Sequence, residues 1–276
     1  MTEIDYATVN RYWEAAAPWV LGRYMMDGFG FPISTGDFRF RAESRIVRRL
    51  AGGVKQDGAV LDLGSGVEFW AEEFASRFSQ AVAVEGSKVL YQALEKRCGP
   101  YANVRAVHGD VLSFEPDGRF SLIFFGGMLM YLNEEDVIAL LRRMTPFLEP
   151  GGMILCREST VRGETVARQN DYQVVYRSVS DYARIFETCG LGVHHVERNE
   201  PYVLLQIGCE LVRSWKETAP DRFQALQTVG HLTYFMLRLG NPWITRVPRC
   251  WASGFRSWRT ISSCLSRIRP EHSRGK

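Results

Sequence analysis

Apolar and polar positions divide this chain into three stretches of different rhythm. Residues 1–55 read as helices, with Tyr6, Tyr12, Trp13, Trp19 and Leu21 in the first part and a second pattern over 42–50. The run Asp27-Gly28-Phe29-Gly30-Phe31-Pro32 between them predicts a loop. The middle stretch alternates. Short apolar runs at 59–63, 81–84, 104–108, 122–125 and 153–157 predict buried strands. Longer patterns at 68–77, 88–97 and 134–147 predict the helices between them. Asn133 followed by Glu134, Glu135 and Asp136 marks a capped helix start, where acids are favoured. Glu149-Pro150-Gly151-Gly152 predicts a turn before the fifth strand. A helix over 182–189, closed by Gly190, follows. Runs at 193–197 and 203–208 are expected to finish the sheet as an antiparallel pair. Residues 209–276 are rich in Trp and Arg and predict helix, broken by Pro220, Pro242, Pro248 and Pro270.

Alternating strands and helices imply an α/β fold. The expected architecture is a doubly wound, Rossmann-like sheet, mostly parallel with a terminal antiparallel strand. N-terminal helices and a C-terminal helical extension flank it. The matching division is a helical cap over 1–55, the sheet domain over 56–208 and a basic extension over 209–276. A chain that is 46% hydrophobic and 24% charged is an ordinary globular protein, large enough to fold without staples. Cys98, Cys156, Cys189, Cys209, Cys250 and Cys264 are scattered and form no C-x-x-C pair. That argues against a zinc site or a disulfide framework and fits a reducing cytoplasm. The N-terminal residues show no secretory h-region, and no apolar run reaches the ~18–20 residues that span a bilayer. A soluble, cytoplasmic chain without a metal is the expectation. The net charge of +3 conceals an asymmetry: residues 207–276 hold 12 Lys/Arg against 4 Asp/Glu, and the rest holds 22 against 27. The tail is basic and the body mildly acidic.

Candidate chemistry begins at Val60-Leu61-Asp62-Leu63, followed by Gly64-Ser65-Gly66. Ligands of doubly wound sheets sit at the carboxyl ends of the strands, and Gly64 and Gly66 let the backbone approach one closely. No Lys-Ser/Thr pair follows, which argues against a P-loop. The second strand ends in Glu85, about 20 residues after the glycines, where a carboxylate can accept from ribose hydroxyls. The third leads into His108-Gly109-Asp110-Val111, where Asp110 can accept from an adenine amine. The fourth ends at Phe124-Phe125-Gly126-Gly127. A dinucleotide would share the first two features. The shorter G-x-G pattern preceded by Asp62 favours a methyl donor.

VLDLGSG, AVEGS, HGDVL, FFGGMLMYL and LEPGGMILCRES resemble the successive motifs of class I S-adenosylmethionine-dependent methyltransferases over about 60–210. The resemblance implies S-adenosylmethionine as cofactor. It puts Asp62 near the methionine ammonium, Glu85 on the ribose and Asp110 on the adenine. Gly64, Ser65, Gly66, Gly86, Ser87, Val111 and Phe125 complete the implied cofactor set. Glu68 departs from the pattern, because the family usually has a third small residue there. Within the class, Met128 to Asn133, Pro150-Gly151-Gly152, Arg157-Glu158-Ser159, Tyr176-Arg177 with Tyr182 and Phe186, and Ile207-Gly208-Cys209 resemble plant-type phosphoethanolamine N-methyltransferases. Tyr12-Trp13, Pro18 and the Gly28 to Phe31 run resemble, more weakly, protein α-N-terminal methyltransferases, but Ser159 replaces that family's Asn. Both relatives methylate amines.

Methyl transfer is an in-line displacement from an activated donor, so the protein mostly positions the acceptor and manages one proton. Glu158, at the end of the fifth strand, and Tyr131, where some amine methyltransferases carry a His, are the catalytic candidates. Tyr172, Tyr176, Arg177 and Tyr182 cluster in the next segment. Aromatic faces can hold a cationic amine, and Arg177 can pair with an acceptor phosphate or carboxylate. The competing reading places Tyr131 and Tyr182 in the core and Arg177 in a surface pair. Gly126 and Gly127 replace larger groups of relatives and imply a roomier acceptor pocket. His108 reads as a strand-end residue rather than a base. Tyr6, Tyr12 and Trp13 are expected to form a lid, or else a structural flank.

The expected function is N-methylation of a small-molecule amine. O-methylation of a specialised metabolite and cofactor binding without turnover are the alternatives. No Asn/Asp-Pro-Pro-aromatic motif or nucleic-acid module is present, so no nucleic-acid partner is expected. In the tail, Trp251, Phe255, Trp258, Ile261, Leu265 and Ile268 recur at helical spacing beside Arg249, Arg256, Arg259, Arg267 and Arg269. Such a helix either docks on the catalytic domain or makes weak, salt-sensitive contact with an anionic membrane surface.

Overall fold

The structure is a computed structural model that describes residues 3–16, 31–32, 34–67, 69–224, 227–244 and 262–270. The alternating middle stretch forms β1 (Ala59–Leu63), β2 (Gln80–Glu85), β3 (Val104–His108), β4 (Phe120–Phe125) and β5 (Leu148–Thr160). They pair in parallel in the order β3-β2-β1-β4-β5. The switch in strand order therefore lies at β1 and β4, the position that opens a ligand crevice in this architecture.

Strand alternation sends side chains to two layers. Leu61, Leu63, Ile123, Phe125 and Ile154 pack under α5 (Glu134–Met144) and α6 (Val179–Thr188). Val60, Leu122, Phe124, Met153 and Leu155 pack under α2 (Ser34–Leu50) and α3 (Phe69–Ala75). Burial of each large side chain contributes roughly 1.5–3 kcal/mol. Acids open α5 and Arg142 and Arg143 close it, matching the helix dipole. Asn133 sits at the N-cap of α5, but its side chain does not cap the helix. Its Oδ1 accepts instead from the Ile4 N–H at 2.8 Å, tying down the segment before α1 (Tyr6–Glu14). A Ser178/Asp181 capping box starts α6 three residues earlier than its apolar pattern shows.

The end of the sheet differs from expectation. Residues 203–208 are not a strand; they lie inside α7 (Glu200–Thr218). A short apolar run cannot separate strand from buried helix, and the buried Leu204, Leu205, Cys209 and Val212 keep helical spacing. The tail supplies the missing strand. β9 (Ser262–Pro270) inserts between β5 and β8 (Leu191–Arg198), antiparallel to both. The helix expected through Leu265 and Ile268 is thus corrected to a strand, with Ile268 fully buried opposite Ile154 and Val193. Trp251, Phe255, Trp258 and Ile261 of that stripe lie outside the described residues, as do Trp19, Leu21, the Gly28–Gly30 run and Glu68. The boundary expected at 208 falls within α7, and the sheet draws on residues beyond it. Among the described residues the extension also holds α7, α8 (Asp221–Gln224) and α9 (Gln227–Ile244), with α9 packed on α7.

An antiparallel arm of β6 (Val166–Gln169) and β7 (Gln173–Tyr176) stands apart from the main sheet. α4 (Lys88–Cys98) follows β2, and α1 packs against it. No helix among the described residues is long and apolar enough to cross a membrane.

Candidate active site

The carboxyl edge of β1 carries the tight turn that the glycines predict. Gly64 and Gly66 have φ of 72° and 63°, and the Gly64 and Ser65 N–H groups both donate to the Val84 carbonyl, at 2.9 and 3.0 Å. A Cβ at Gly64 would lie 2.8 Å from that of Met128, whereas one at Gly66 would meet nothing within 4 Å. The chain is therefore pressed against the β4 turn on one side and open on the other.

Asp62 is 1% exposed, and neither carboxylate oxygen has a hydrogen-bond partner. Burial pushes its carboxyl up to about 7 against the pull of the nearby Ser65 hydroxyl, and the neighbouring Glu85 charge adds a smaller push. Glu85 is held differently. Its two oxygens accept from the Gly66 and Ser87 N–H groups, each at 2.8 Å, and burial raises its pKa. Backbone donors thus fix one carboxylate beside the glycine turn and leave the other unsatisfied. Asp110 is exposed and caps the Leu112 N–H at 2.9 Å. Val111 is half-buried, and Arg143 donates to its carbonyl. Gly86 accepts from or orients His108, whose Nε2 lies 3.0 Å from its carbonyl, while the His108 ring stacks on Tyr91. Phe125 is wholly buried among core residues, so its side chain belongs to the core rather than to a cofactor contact.

α1 crosses this edge. Its Trp13 carbonyl accepts from the Ser87 hydroxyl at 3.2 Å, and Glu14 accepts from the Lys88 N–H at 2.5 Å. Tyr6 donates to Asp136, and its oxygen accepts from the Asn133 N–H at 3.0 Å. Burial and the Asp136 bond push the Tyr6 phenol up to about 12. Asp5 N–H donates to Gln173 at 2.8 Å, fastening α1 to the β6–β7 arm.

These anchors bring together residues far apart in sequence. Trp13 meets Tyr131 edge-on at 5.4 Å, Tyr12 meets Trp13 at 5.1 Å, and Tyr12 meets Tyr172 at 5.0 Å. The Tyr131 and Tyr172 hydroxyls share a hydrogen bond of 2.7 Å. Burial and mutual proximity raise both phenols well above their ordinary range. Tyr176, buried on β7, completes the group. Five of the acceptor-site candidates therefore form one aromatic cluster beneath α1.

The remaining candidates sit deeper. Glu158 is 2% exposed; Oε1 accepts from the Leu129 N–H at 3.2 Å and Oε2 has no partner. Burial pushes its carboxyl up to about 7, against the pull of Arg157 and Arg177. Arg177 is also buried and donates to the Leu129 and Leu132 carbonyls, at 2.9 and 2.6 Å. Its guanidinium braces the turn after β4 from inside, which corrects both the acceptor pairing and the surface pair read from the sequence. Tyr182 lies in the core, stacked on Phe186, with its hydroxyl unsatisfied. The roomier pocket expected at Gly126 and Gly127 is also corrected. A Cβ at Gly126 would lie 3.0 Å from the Phe124 ring and in contact with Trp70, and one at Gly127, where φ is 99°, would lie 3.0 Å from the Arg157 guanidinium. Other side chains fill the vacated space.

That guanidinium belongs to a network the sequence did not disclose. Glu43 of α2 is 0% exposed and accepts from Arg39 and Arg157, both at 2.7 Å, and from Asn199. Arg157 also donates to the Gly126 carbonyl at 3.1 Å. Burial pushes the Glu43 carboxyl up, but Arg157 and Arg39 outweigh it and hold it at about 2. One signal was available: Glu43 falls inside the apolar stripe Phe40, Val47 and Leu50 of its helix. No cluster of three metal-ligating side chains occurs among the described residues.

Residues 60–152 match the family described as a methyltransferase domain. This part of the chain is similar to class I methyltransferase domains, and its sheet order and glycine turn agree with that likeness. Within the class it resembles the phosphoethanolamine N-methyltransferases. Phosphoethanolamine N-methyltransferase 1 of Arabidopsis thaliana is 27% identical over 169 residues, which are 60% of this chain and 34% of that protein. The chain thus spans about a third of the curated relative it matches. Among solved structures, a Leishmania major S-adenosylmethionine-dependent methyltransferase superposes with a TM-score of 0.62 at 14% identity, over 96% of this chain and 82% of that one. Phosphoethanolamine N-methyltransferase 1 of Haemonchus contortus, solved with phosphoethanolamine and S-adenosylhomocysteine, gives 0.59 at 15% identity, over 96% of this chain and 48% of that one. At these identities the structures speak for the fold.

Proposed function

We propose that this chain transfers a methyl group from S-adenosylmethionine to a small-molecule amine. The observation that carries the cofactor is Asp62. A buried carboxylate with both oxygens unsatisfied is costly unless a cationic ligand completes it. The α-ammonium of S-adenosylmethionine is such a group. The open side of Gly66 leaves room for a ligand, and Glu85, pinned by two N–H groups, keeps lone pairs for ribose hydroxyls. Asp110 and Val111 would flank the adenine. The residues present therefore fit the cofactor.

When bound, S-adenosylmethionine supplies an activated methyl group on a sulfonium. Everything else falls to the chain. The aromatic cluster of Tyr12, Trp13, Tyr131, Tyr172 and Tyr176 offers ring faces and edges to a cationic or neutral amine. Its raised phenols stay neutral at physiological pH, so the Tyr131–Tyr172 pair holds the acceptor by hydrogen bonds instead of acting as an ionised base. α1 lays Tyr12 and Trp13 against Tyr172 and Tyr131 and shields those two phenols, while Tyr12 itself stays 39% exposed. Glu158 and Arg177 fix the turn that carries Tyr131, acting as positioning residues. Similarity to the phosphoethanolamine N-methyltransferases supports an amine over a hydroxyl acceptor. Methyl release measured across panels of amines, phosphobases and phenols tests the proposal. Turnover of phenols alone would overturn the acceptor class, and no turnover with measurable cofactor binding would leave a binding protein.

A further inference from the structure

The outer face of α9 is apolar and uncovered. Leu232, Phe235, Met236 and Leu239 are 63%, 58%, 62% and 63% exposed. Spaced at i, i+3, i+4 and i+7, they form one stripe. The opposite face of the helix is already used. Tyr234 and Leu237 are buried there, and Tyr234 packs against Phe38 of α2. α9 is thus apolar on both sides, one inside the protein and one outside it. Four large apolar side chains together on a surface mark an interaction site rather than chance exposure.

Charge identifies the partner. No Asp or Glu occurs between Asp221 and Glu271, whereas Arg222, Arg238, Arg246, Arg249, Arg256, Arg259, Arg267 and Arg269 fall in that interval. Of these, Arg238 lies on α9 itself, exposed, with its guanidinium over the Phe38 ring and donating to the Tyr234 hydroxyl at 3.3 Å; His231 is exposed on the same side of the stripe. A second copy of the chain would bring like charges together. A nucleic acid would be drawn by the arginines but has no use for an aliphatic stripe. An anionic bilayer satisfies both features, since its headgroups attract arginine and its acyl boundary takes Leu, Phe and Met.

We propose that the exposed stripe of α9 lies in the interface of an anionic membrane and holds the protein reversibly on its surface. The inference is independent of the reading of the cleft. It moves the lipid contact from the tail helix that the sequence predicts, part of which is β9, to a helix with its apolar face outward.

Flotation of the full chain with vesicles of phosphatidylcholine, with and without phosphatidylglycerol, tests it. The expected result is flotation only with the anionic vesicles, weakened by salt. Phe235→Glu together with Met236→Glu should lower partitioning at least about tenfold, because two apolar side chains lose their insertion. Melting temperature and S-adenosylmethionine affinity of that variant report whether it folds. Leu232→Ser with Leu239→Ser provides a milder second pair with the same expected direction. No flotation at low salt, equal flotation of folded variants, or equal binding to phosphatidylcholine alone would overturn the proposal. So would a concentration-dependent dimer that these substitutions abolish.

Discussion

Glu43 and Asp62 are both carboxylates sealed in the interior, and they are held in opposite ways. Glu43 has Arg39, Arg157 and Asn199 around it and is held at about 2. The Asp62 carboxylate has no hydrogen-bond partner and is pushed up to about 7. Burial alone does not decide what a carboxylate is for. A satisfied one fastens elements together, here α2, β5 and the residue before α7. An unsatisfied one costs stability, and under the proposed function it is the place a cationic ligand completes.

The largest test of this contrast is Glu43→Ala. It strands Arg39 and Arg157 in the interior and should destabilise the protein by about 3–5 kcal/mol, read by urea denaturation. Asp62→Asn should do the reverse of what burial by itself suggests. Stability should hold or rise, while S-adenosylmethionine affinity falls by about 1–3 kcal/mol in calorimetric titration. Unchanged affinity would remove Asp62 from the site.

The pH dependence of stability separates the two groups next. Folded Asp62 keeps a proton that the unfolded chain has lost between its ordinary 3.8 and about 7. Its contribution therefore makes the ligand-free protein less stable as pH rises through that window. Glu43, held at about 2 against an ordinary 4.5, loses its proton earlier when folded, so its stabilisation disappears as pH falls from 4.5 towards 2. Thermal melts across pH should show both limbs, and Asp62→Asn should flatten only the upper one. Glu158 also contributes to that limb, which will therefore not vanish entirely. The smallest expected effect is that of Glu158→Gln. The amide oxygen can still accept from Leu129 N–H, so stability should change by less than about 1 kcal/mol. Steady-state turnover should stay near native, and a large loss would give Glu158 a direct role in proton transfer.

What the sequence disclosed was local. Asp62, Gly64, Gly66 and Glu85 are legible because a strand, a turn and a following strand end leave a compact pattern. The aromatic cluster was legible residue by residue, as candidates in α1, after β4 and before α6. What joins them is the β6–β7 arm, a short hairpin with little periodicity of its own. Arg177 and Glu158 looked like chemistry because charged residues near strand ends often are; in the structure both also hold the backbone of the turn after β4. The Glu43–Arg157 pair spans from α2 to β5, and no local signal links the two partners. β9 was misread because 262–270 offers three- and four-residue spacings, and the demand for a strand comes from the slot between β5 and β8.

That slot also imposes an order of assembly. Within β1 to β5, the pairs β1–β2, β2–β3 and β4–β5 join strands that follow one another in sequence, and β1–β4 is the one longer crossover. β8 and β9 are adjacent in space, yet Leu191 pairs with Pro270 across the whole of α7, α8 and α9. Closing so long a loop comes at greater entropic expense than closing the short ones, and nonlocal pairings slow folding. Until β9 arrives, β5 lacks its neighbour on that side and β8 has no place in the sheet. Those open strand edges can recruit other chains. Shortening the chain after α9 would therefore be felt in refolding yield and aggregation before any change at the cleft.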